Sequence, residues 1–150
     1  MADGTTPAIK TPWHFLVVGI VSLLWNSVGA MDFTLTQMKN EAYLKAFTPE
    51  QLAYFTGFPL WAVIFWGLGT WGGFLGSMVL LFRRSLAVCC FVTSLVGMVV
   101  TDIYCYVLSD GLKVMGGKAA GTAIFAAVIF VVGVLLLVYA RAMRKSGVLR

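Results

Sequence analysis

Two aspartates are the side chains of this sequence best suited to bind a ligand. Asp32 and Asp102 each lie near one end of a long apolar segment. A carboxylate in hydrocarbon is costly unless it is paired, hydrated or protonated, so an acid within a membrane segment is a candidate functional residue. Such a pair could bind a proton, a cation or a polar solute.

Three further residues accompany the aspartates. Trp25 precedes Asp32 by about two helical turns, which places both side chains on one helix face. Asn26 lies deeper in the same segment, so its amide needs a partner on another helix or in a hydrated cavity. Trp61 stands near the start of the second segment, where it fits an aromatic belt or could stack on a ligand. The predicted substrate-binding residues are Asp32, Asp102, Asn26, Trp25 and Trp61.

No group of residues indicates catalysis or a metal centre. The only histidine, His14, is distant in sequence from the cysteines Cys89, Cys90 and Cys105, and none of them follows a metal-ligand pattern. No nucleophile has a base at a typical spacing. We therefore predict no enzyme, no metal site and no cofactor, and interpret the cysteines as small buried apolar side chains.

Composition places the chain in a membrane. Of its 150 residues, 60% are hydrophobic and only 11% are charged, and the mean hydropathy is +0.91. Soluble domains carry about 25% charged residues. The net charge of +5 comes from residues at the ends of apolar segments, unlike a basic patch interleaved with aromatics. We predict an integral membrane protein whose partner is the lipid bilayer, with no nucleic-acid partner.

Four apolar segments are long enough to be transmembrane helices, which need about 20 residues. They are continuous rather than alternating, and strands would leave unpaired edges in lipid. The segments are Trp13 to Thr36, Gly57 to Phe82, Leu86 to Leu108 and Ala119 to Ala140, with an outer loop at 37–56. The predicted fold is an all-α, four-helix transmembrane bundle that forms one domain over residues 1–150.

Basic residues predict the orientation of this bundle. Arg83 and Arg84 occupy the short turn between the second and third spans, Lys10 precedes the first span, and four further basic residues follow the fourth. By the positive-inside rule, the turn and both termini are cytoplasmic. With a helical rise of 1.5 Å per residue, Asp32 and Asp102 then fall in the outer third of the membrane, where they could share one vestibule.

The first span also resembles a cleavable signal peptide. Lys10, an apolar run and the small residues before Ala30 fit such a segment, with the cut after Ala30. Three further spans make removal unnecessary for insertion, and the apolar character resumes after Ala30, so we expect the span to be retained. Edman sequencing or the intact mass of the mature protein would decide between the two.

The outer loop contains a predicted short helix. Thr48-Pro49-Glu50-Gln51 has the pattern of a capping box with proline at the first helical position. The helix would run toward Phe55 and could lie on the membrane surface, cover the mouth of the bundle or act as an ordinary connection.

Glycines of the second span predict close helix packing. Small residues four apart form a smooth ridge for another helix, inside the subunit or across a dimer. These residues are Gly69, Gly72, Gly73 and Gly76. They support an alternative hypothesis, in which a non-transporting accessory or structural protein packs on a partner through this helix. The predicted partners are therefore a second copy of the chain or another membrane protein.

The segment from Leu24 to Asp32, followed by Thr36-Gln37 and by Phe47 to Gln51, resembles small bacterial four-span membrane proteins. Members of that group are often labelled sugar transporters. The resemblance implies a multi-pass protein of the bacterial inner (cytoplasmic) membrane, and it supplies no catalytic or binding residues. The two acids favour transport of a small polar solute or cation over the accessory hypothesis.

Overall fold

The computed structural model describes residues 10–150, and every regular element in that range is helical. The elements are α1 (Trp13–Gln37), α2 (Glu41–Leu44), α3 (Pro49–Thr56), α4 (Leu60–Leu81), α5 (Leu86–Ile103), α6 (Gly111–Met115) and α7 (Ala119–Lys145). A π-helical turn at Tyr104–Leu108 extends α5, and a 3-10 turn at Gly116–Lys118 precedes α7. The helices α1, α4, α5 and α7 are long and apolar enough to cross a membrane, so the predicted all-α four-span fold is confirmed.

Two long helices differ from the predicted spans at their ends. The helix α4 begins at Leu60 rather than at Gly57, because Pro59 is its N-cap and a residue before proline disfavours helical geometry. The helix α7 continues past Ala140 to Lys145, since the basic residues of its last turn suit the negative end of a helix dipole.

The short helix α3 begins where its capping box predicts. The main-chain N–H of Gln51 donates to Oγ1 of Thr48, and the N–H of Thr48 donates to Oε1 of Gln51, both at 3.2 Å. Pro49 occupies the first helical position, where no N–H is needed. The predicted helix and its cap are confirmed.

The order of packing across the bundle is α1, α4, α5, α7. The glycines of α4 permit this arrangement, because Gly69 and Gly72 face α5 without side chains in between. Ser94 on α5 donates from Oγ to the main-chain oxygen of Gly69 at 2.5 Å. Gly73 faces α1, and Gly76 lies against a phenylalanine of α5. The chain's own helices therefore occupy the glycine ridge.

The bundle has two unlike ends. The turn end contains the 82–85 connection, the start of α1 and the end of α7, and the loop end contains the segments 38–59 and 109–118. Buried apolar side chains fill the turn end, among them Phe15, Leu80 and Phe91. The bundle is therefore tightly packed at its turn end.

The segment after α7 completes this packing. Val148 and Leu149 are only 2% and 4% exposed and belong to the same apolar cluster. Main-chain hydrogen bonds attach the segment to the 82–85 connection, with Arg150 N donating to Arg83 O at 2.8 Å and Ser85 N donating to Arg150 O at 2.7 Å. Residues 146–150, the tail, thus cover the turn end of the bundle.

Candidate functional site

A cavity of about 490 Å³ lies among the four long helices, in the loop-end half of the bundle. Asp32 of α1 and Asp102 of α5 both line it, with Trp66 of α4 and Phe125 of α7. The structure therefore brings the two predicted acids, which lie on separate helices, to one cavity. We refer to it as the acidic cavity.

Asp32 is paired with a tyrosine of the loop. The hydroxyl of Tyr43 donates a hydrogen bond to Oδ1 of Asp32. Burial raises the pKa of Tyr43 to about 12, and the hydrogen bond and negative charge of Asp32 act in the same direction. Tyr43 is therefore a neutral donor at physiological pH, and it covers one side of the acidic cavity.

The chain reversal after α1 positions Tyr43. Lys39 adopts a positive φ of 52°, its N–H donates to Thr36 O at 3.1 Å, and Asn40 N donates to Leu35 O at 3.0 Å. These two bonds define a Schellman motif, which ends a helix and turns the chain back. The side chain of Asn40 then caps α2 by accepting a hydrogen bond from Tyr43 N at 3.0 Å. Local backbone geometry thus delivers Tyr43 to Asp32.

Asp102 differs from Asp32 because its carboxylate accepts no hydrogen bond from residues 10–150. Every fully buried polar side-chain atom of this part of the chain has a partner, so the carboxylate oxygens of Asp102 border the open space of the cavity. The π-helical turn begins two residues later, and such turns occur often at functional sites. Asp102 is therefore the acid most available to a ligand.

Asn26 connects two helices and also lines the cavity. Its Nδ2 donates to Ser22 O at 2.9 Å and to Ser77 Oγ on α4 at 3.0 Å, and Ser77 in turn donates to Gly73 O. Both amide protons of Asn26 are thus used by the protein. Only its oxygen remains to accept a hydrogen bond from a ligand.

Aromatic side chains form much of the cavity wall. Trp25 of α1 lies with its ring centroid 6.4 Å from that of Phe125 on α7. Trp66 packs edge-to-face on Phe33 at 5.1 Å. Trp25 was predicted at this site, whereas Trp66 and Phe125 were not.

Trp61 is not among the described residues that line the cavity, contrary to its predicted place there. It contacts Tyr104 edge-to-face at 5.2 Å, and 43% of its surface is exposed. Five residues of helix separate Trp61 from Trp66, which rotates the two side chains by about 140°. Trp66 therefore occupies the position that Trp61 was expected to fill.

An aromatic cluster holds α3 over the loop end. Phe58 is buried between Trp66 and Tyr104, with ring centroids at 5.7 and 4.9 Å. The hydroxyl oxygen of Tyr54, on α3, lies 2.5 Å from Oγ of Ser109. Burial raises the pKa of the Tyr54 hydroxyl. Because Trp66 belongs both to this aromatic cluster and to the lining of the acidic cavity, α3 is attached directly to one wall of the cavity.

The lining of the acidic cavity carries negative charge alone. Among the described residues around it there is no Lys, Arg or His. Residues 10–150 contain no group of three potential metal ligands. Cys89, Cys90 and Cys105 are free thiols, and Cys89 is exposed on α5, where burial was predicted. A cation that neutralises the carboxylates is therefore not supplied by the described lining of the cavity.

The sequence reasoning missed Tyr43, Trp66 and Phe125. A tryptophan near the middle of a predicted span is unusual for an interfacial belt, and that position could have identified Trp66. Tyr43 had no such signal, because its role depends on the chain reversal at Lys39. Phe125 is one apolar residue among many in α7.

No protein-family model, curated protein or solved structure matches this chain. Its class, an all-helical protein with four candidate membrane spans, rests on the helices themselves. Its function must be argued from the acidic cavity.

Proposed function

We propose that this protein is a small transporter that binds an organic cation in the acidic cavity. The observation that carries the proposal is the meeting of Asp32 and Asp102 on one cavity whose described lining holds no basic side chain. Two carboxylates in a partly apolar space repel each other, and a bound cation would relieve that repulsion.

The walls of the cavity suit a cation with an apolar body. Trp25 and Trp66 line the cavity, and aromatic rings attract cations through the ring quadrupole. A volume of about 490 Å³ lies within the range of small-molecule sites, about 300–1,000 Å³. An amine or ammonium ion of modest size meets both conditions.

The two acids would have different roles. Asp102 has no hydrogen-bond donor among the described residues, so it is the direct partner of the cation. Asp32 shares its charge with Tyr43, and this hydrogen bond holds α2 against the cavity. A cation that draws Asp32 toward itself would weaken the contact and release that side of the cavity.

We further propose a place for the protein in the cell. The basic turn end would face the cytoplasm and the cavity would open outward, as the positive-inside rule favours. The resemblance to small bacterial four-span proteins supports the bacterial inner membrane. Because apolar side chains fill the turn end of one bundle, we place the complete pathway at an interface between two copies.

Flux measurements on purified protein in liposomes test this proposal. The probes are radiolabelled tetraethylammonium, as the cation, and radiolabelled glucose, as a neutral solute. Glucose is chosen because the small bacterial four-span proteins that this chain resembles are often labelled sugar transporters. We expect tetraethylammonium uptake above that of protein-free liposomes and no glucose uptake. Asp102→Asn should lower cation uptake about tenfold or more, because it removes the charge attraction of the carboxylate, about 4 kcal/mol at about 4 Å and an effective dielectric of about 20, whereas about 1.4 kcal/mol suffices for a tenfold change.

Asp110→Asn is the matched control, because Asp110 is also a loop-end acid but pairs with Lys113 on the exposed surface. Its uptake should equal that of the unmodified protein. Equal uptake in Asp102→Asn and the unmodified protein would contradict the role of the cavity. Glucose uptake without cation uptake would indicate that the transported solute is neutral, and it would contradict the proposed cation.

A further inference from the structure

The turn end of the bundle carries a cluster of arginines, which we call the arginine cluster. Arg83 and Arg84 belong to the connection between α4 and α5, and Arg150 lies beside them in the tail. Together with Phe82 they line an open hollow of about 300 Å³. This hollow is separate from the acidic cavity, which lies in the other half of the bundle.

The fold holds these three like charges together. The main chains of Arg83 and Arg150 are joined by the hydrogen bond at 2.8 Å, and Nε of Arg83 donates to Val148 O at 3.2 Å. Val148 is 2% exposed, so the tail is anchored in the apolar cluster. The remaining guanidinium N–H groups of Arg83 are available to a ligand. The guanidinium groups of Arg84 and Arg150 are available too, because they donate no hydrogen bond to residues 10–150.

No acidic side chain of the described residues pairs with the arginine cluster. Within residues 10–150 the one ion pair is Lys113 with Asp110, at the loop end. All the acids of that range lie in the loop-end half of the bundle, namely Asp32, Glu41, Glu50, Asp102 and Asp110. Uncompensated positive charge at one end concentrates anions there.

We propose that the arginine cluster binds a phosphate-bearing anion. Guanidinium groups present paired N–H donors that match phosphate oxygens, which a lysine cannot reproduce. Phe82 beside them is 69% exposed, so an apolar surface adjoins the charged hollow. A phospholipid headgroup and a free phosphate share the required chemistry, and basic pockets near membrane surfaces bind such groups.

Ligand titration of the purified full chain in detergent tests the proposal. Three probes are compared, namely short-chain phosphatidylglycerol, phosphatidylcholine of the same chain length, and inorganic phosphate. Bound lipid is counted by native mass spectrometry, and affinity is measured from the shift in thermal unfolding. We expect phosphatidylglycerol to bind about tenfold more tightly than phosphatidylcholine, because only the former carries net negative charge.

The variant Arg84→Gln with Arg150→Gln should weaken phosphatidylglycerol binding about 25-fold, or about fivefold for each arginine. Arg83 is kept, since its side chain supports the tail. Arg144→Gln is the control, because Arg144 is an exposed arginine of the same end that does not line the hollow. Replacing Arg84 and Arg150 with lysine retains the charge and should keep binding within about fivefold of the unmodified protein.

Each outcome bears on the proposal. Competition between inorganic phosphate and phosphatidylglycerol would support the site, provided that the glutamine variant loses affinity for both. Soluble phosphate would then be a second natural ligand of the arginine cluster. Equal binding of the two lipids would overturn the proposal. So would an equal loss in Arg144→Gln, which would indicate general surface charge. If the glutamine variant unfolds, the lysine variant decides, because weakening of more than about fivefold in a folded protein that retains the charge would contradict the site.

Discussion

Two carboxylates that look alike in the sequence differ in their hydrogen bonding. Asp32 accepts a hydrogen bond from Tyr43, whereas Asp102 accepts none from the described part of the chain. Asp102 therefore carries the flux prediction, and Asp32 is better tested through its tyrosine. The titration of Tyr43 reports on this contact without depending on any transported solute.

The ordinary pKa of tyrosine is 10.0, and that of Tyr43 is raised to about 12. A raised pKa favours the neutral phenol in the folded protein, so its contribution to stability is complete below pH 10.0. That contribution is lost as pH rises through about 12. Alkaline titration followed by ultraviolet phenolate absorbance should therefore show a late transition whose amplitude falls by one tyrosine in Tyr43→Phe.

Burial is the largest single cause of this shift, and Asp32 adds to it through both its hydrogen bond and its negative charge. Asp32→Asn should consequently lower the pKa of Tyr43 only in part, leaving it above 10.0. A transition of Tyr43 at the ordinary pKa in the unmodified protein would show that α2 does not rest on the cavity.

The close contact between α4 and α5 depends on missing side chains. A Cβ added to Gly97 on α5 would lie 2.5 Å from both the main-chain nitrogen of Gly69 and the main-chain oxygen of Phe65 on α4. Backbone cannot move aside as a flexible side chain can. This glycine pair sets the distance between α4 and α5, and Gly69 and Met98 beside it line the acidic cavity.

Gly97→Ala should destabilise the protein by about 1–3 kcal/mol, as overpacking usually does. Thermal unfolding in detergent would measure the loss. The control is Gly121→Ala on α7, where an added Cβ meets nothing within 4 Å. That substitution should be neutral or slightly stabilising, because alanine favours helix over glycine. Similar losses at both positions would indicate that α4 and α5 are not in close contact.

Three long helices end in the same backbone motif, but only one does so with glycine. Gly147 has a φ of 76° after α7, whereas Lys39 and Arg83 occupy the corresponding positions after α1 and α4. In each case two hydrogen bonds close the helix end. The basic residues lack the usual glycine signal, so these chain reversals could not be located from sequence in advance.

At the scale of the whole molecule, the two ends differ in both packing and charge. Seven of the eleven Lys and Arg residues flank the turn end, and the described acids lie in the loop-end half. The same asymmetry places the acidic cavity away from the tail. In a fixed orientation, the protein would therefore direct its basic end to one side of the bilayer and its acidic half toward the other.

Cysteine labelling tests the proposed orientation. In a background with the three native cysteines replaced by alanine, Lys45→Cys reports on the loop end and Ser146→Cys on the turn end. On intact cells a membrane-impermeant maleimide should label only the loop-end cysteine, because Lys and Arg favour the cytoplasmic side. The turn-end cysteine should react after permeabilisation. The reverse pattern would place the cavity on the cytoplasmic side.

The helical class, the four apolar segments and the capped helix α3 could be predicted from the amino-acid sequence. These features depend on local causes, such as the length of an apolar run or the spacing of Thr48 and Gln51. The sequence also singled out Asp32 and Asp102, since a carboxylate in an apolar segment stands out without knowledge of its neighbours.

The contacts between distant residues could be seen only in the packed bundle. The shared cavity, the pairing of Asp32 with Tyr43, the exclusion of Trp61 and the attachment of Arg150 to Arg83 join residues that lie far apart or beyond a chain reversal. Such contacts follow from helix rotation and packing distance, which depend on many weak interactions across the bundle. Hydropathy and local spacing carry no information about them.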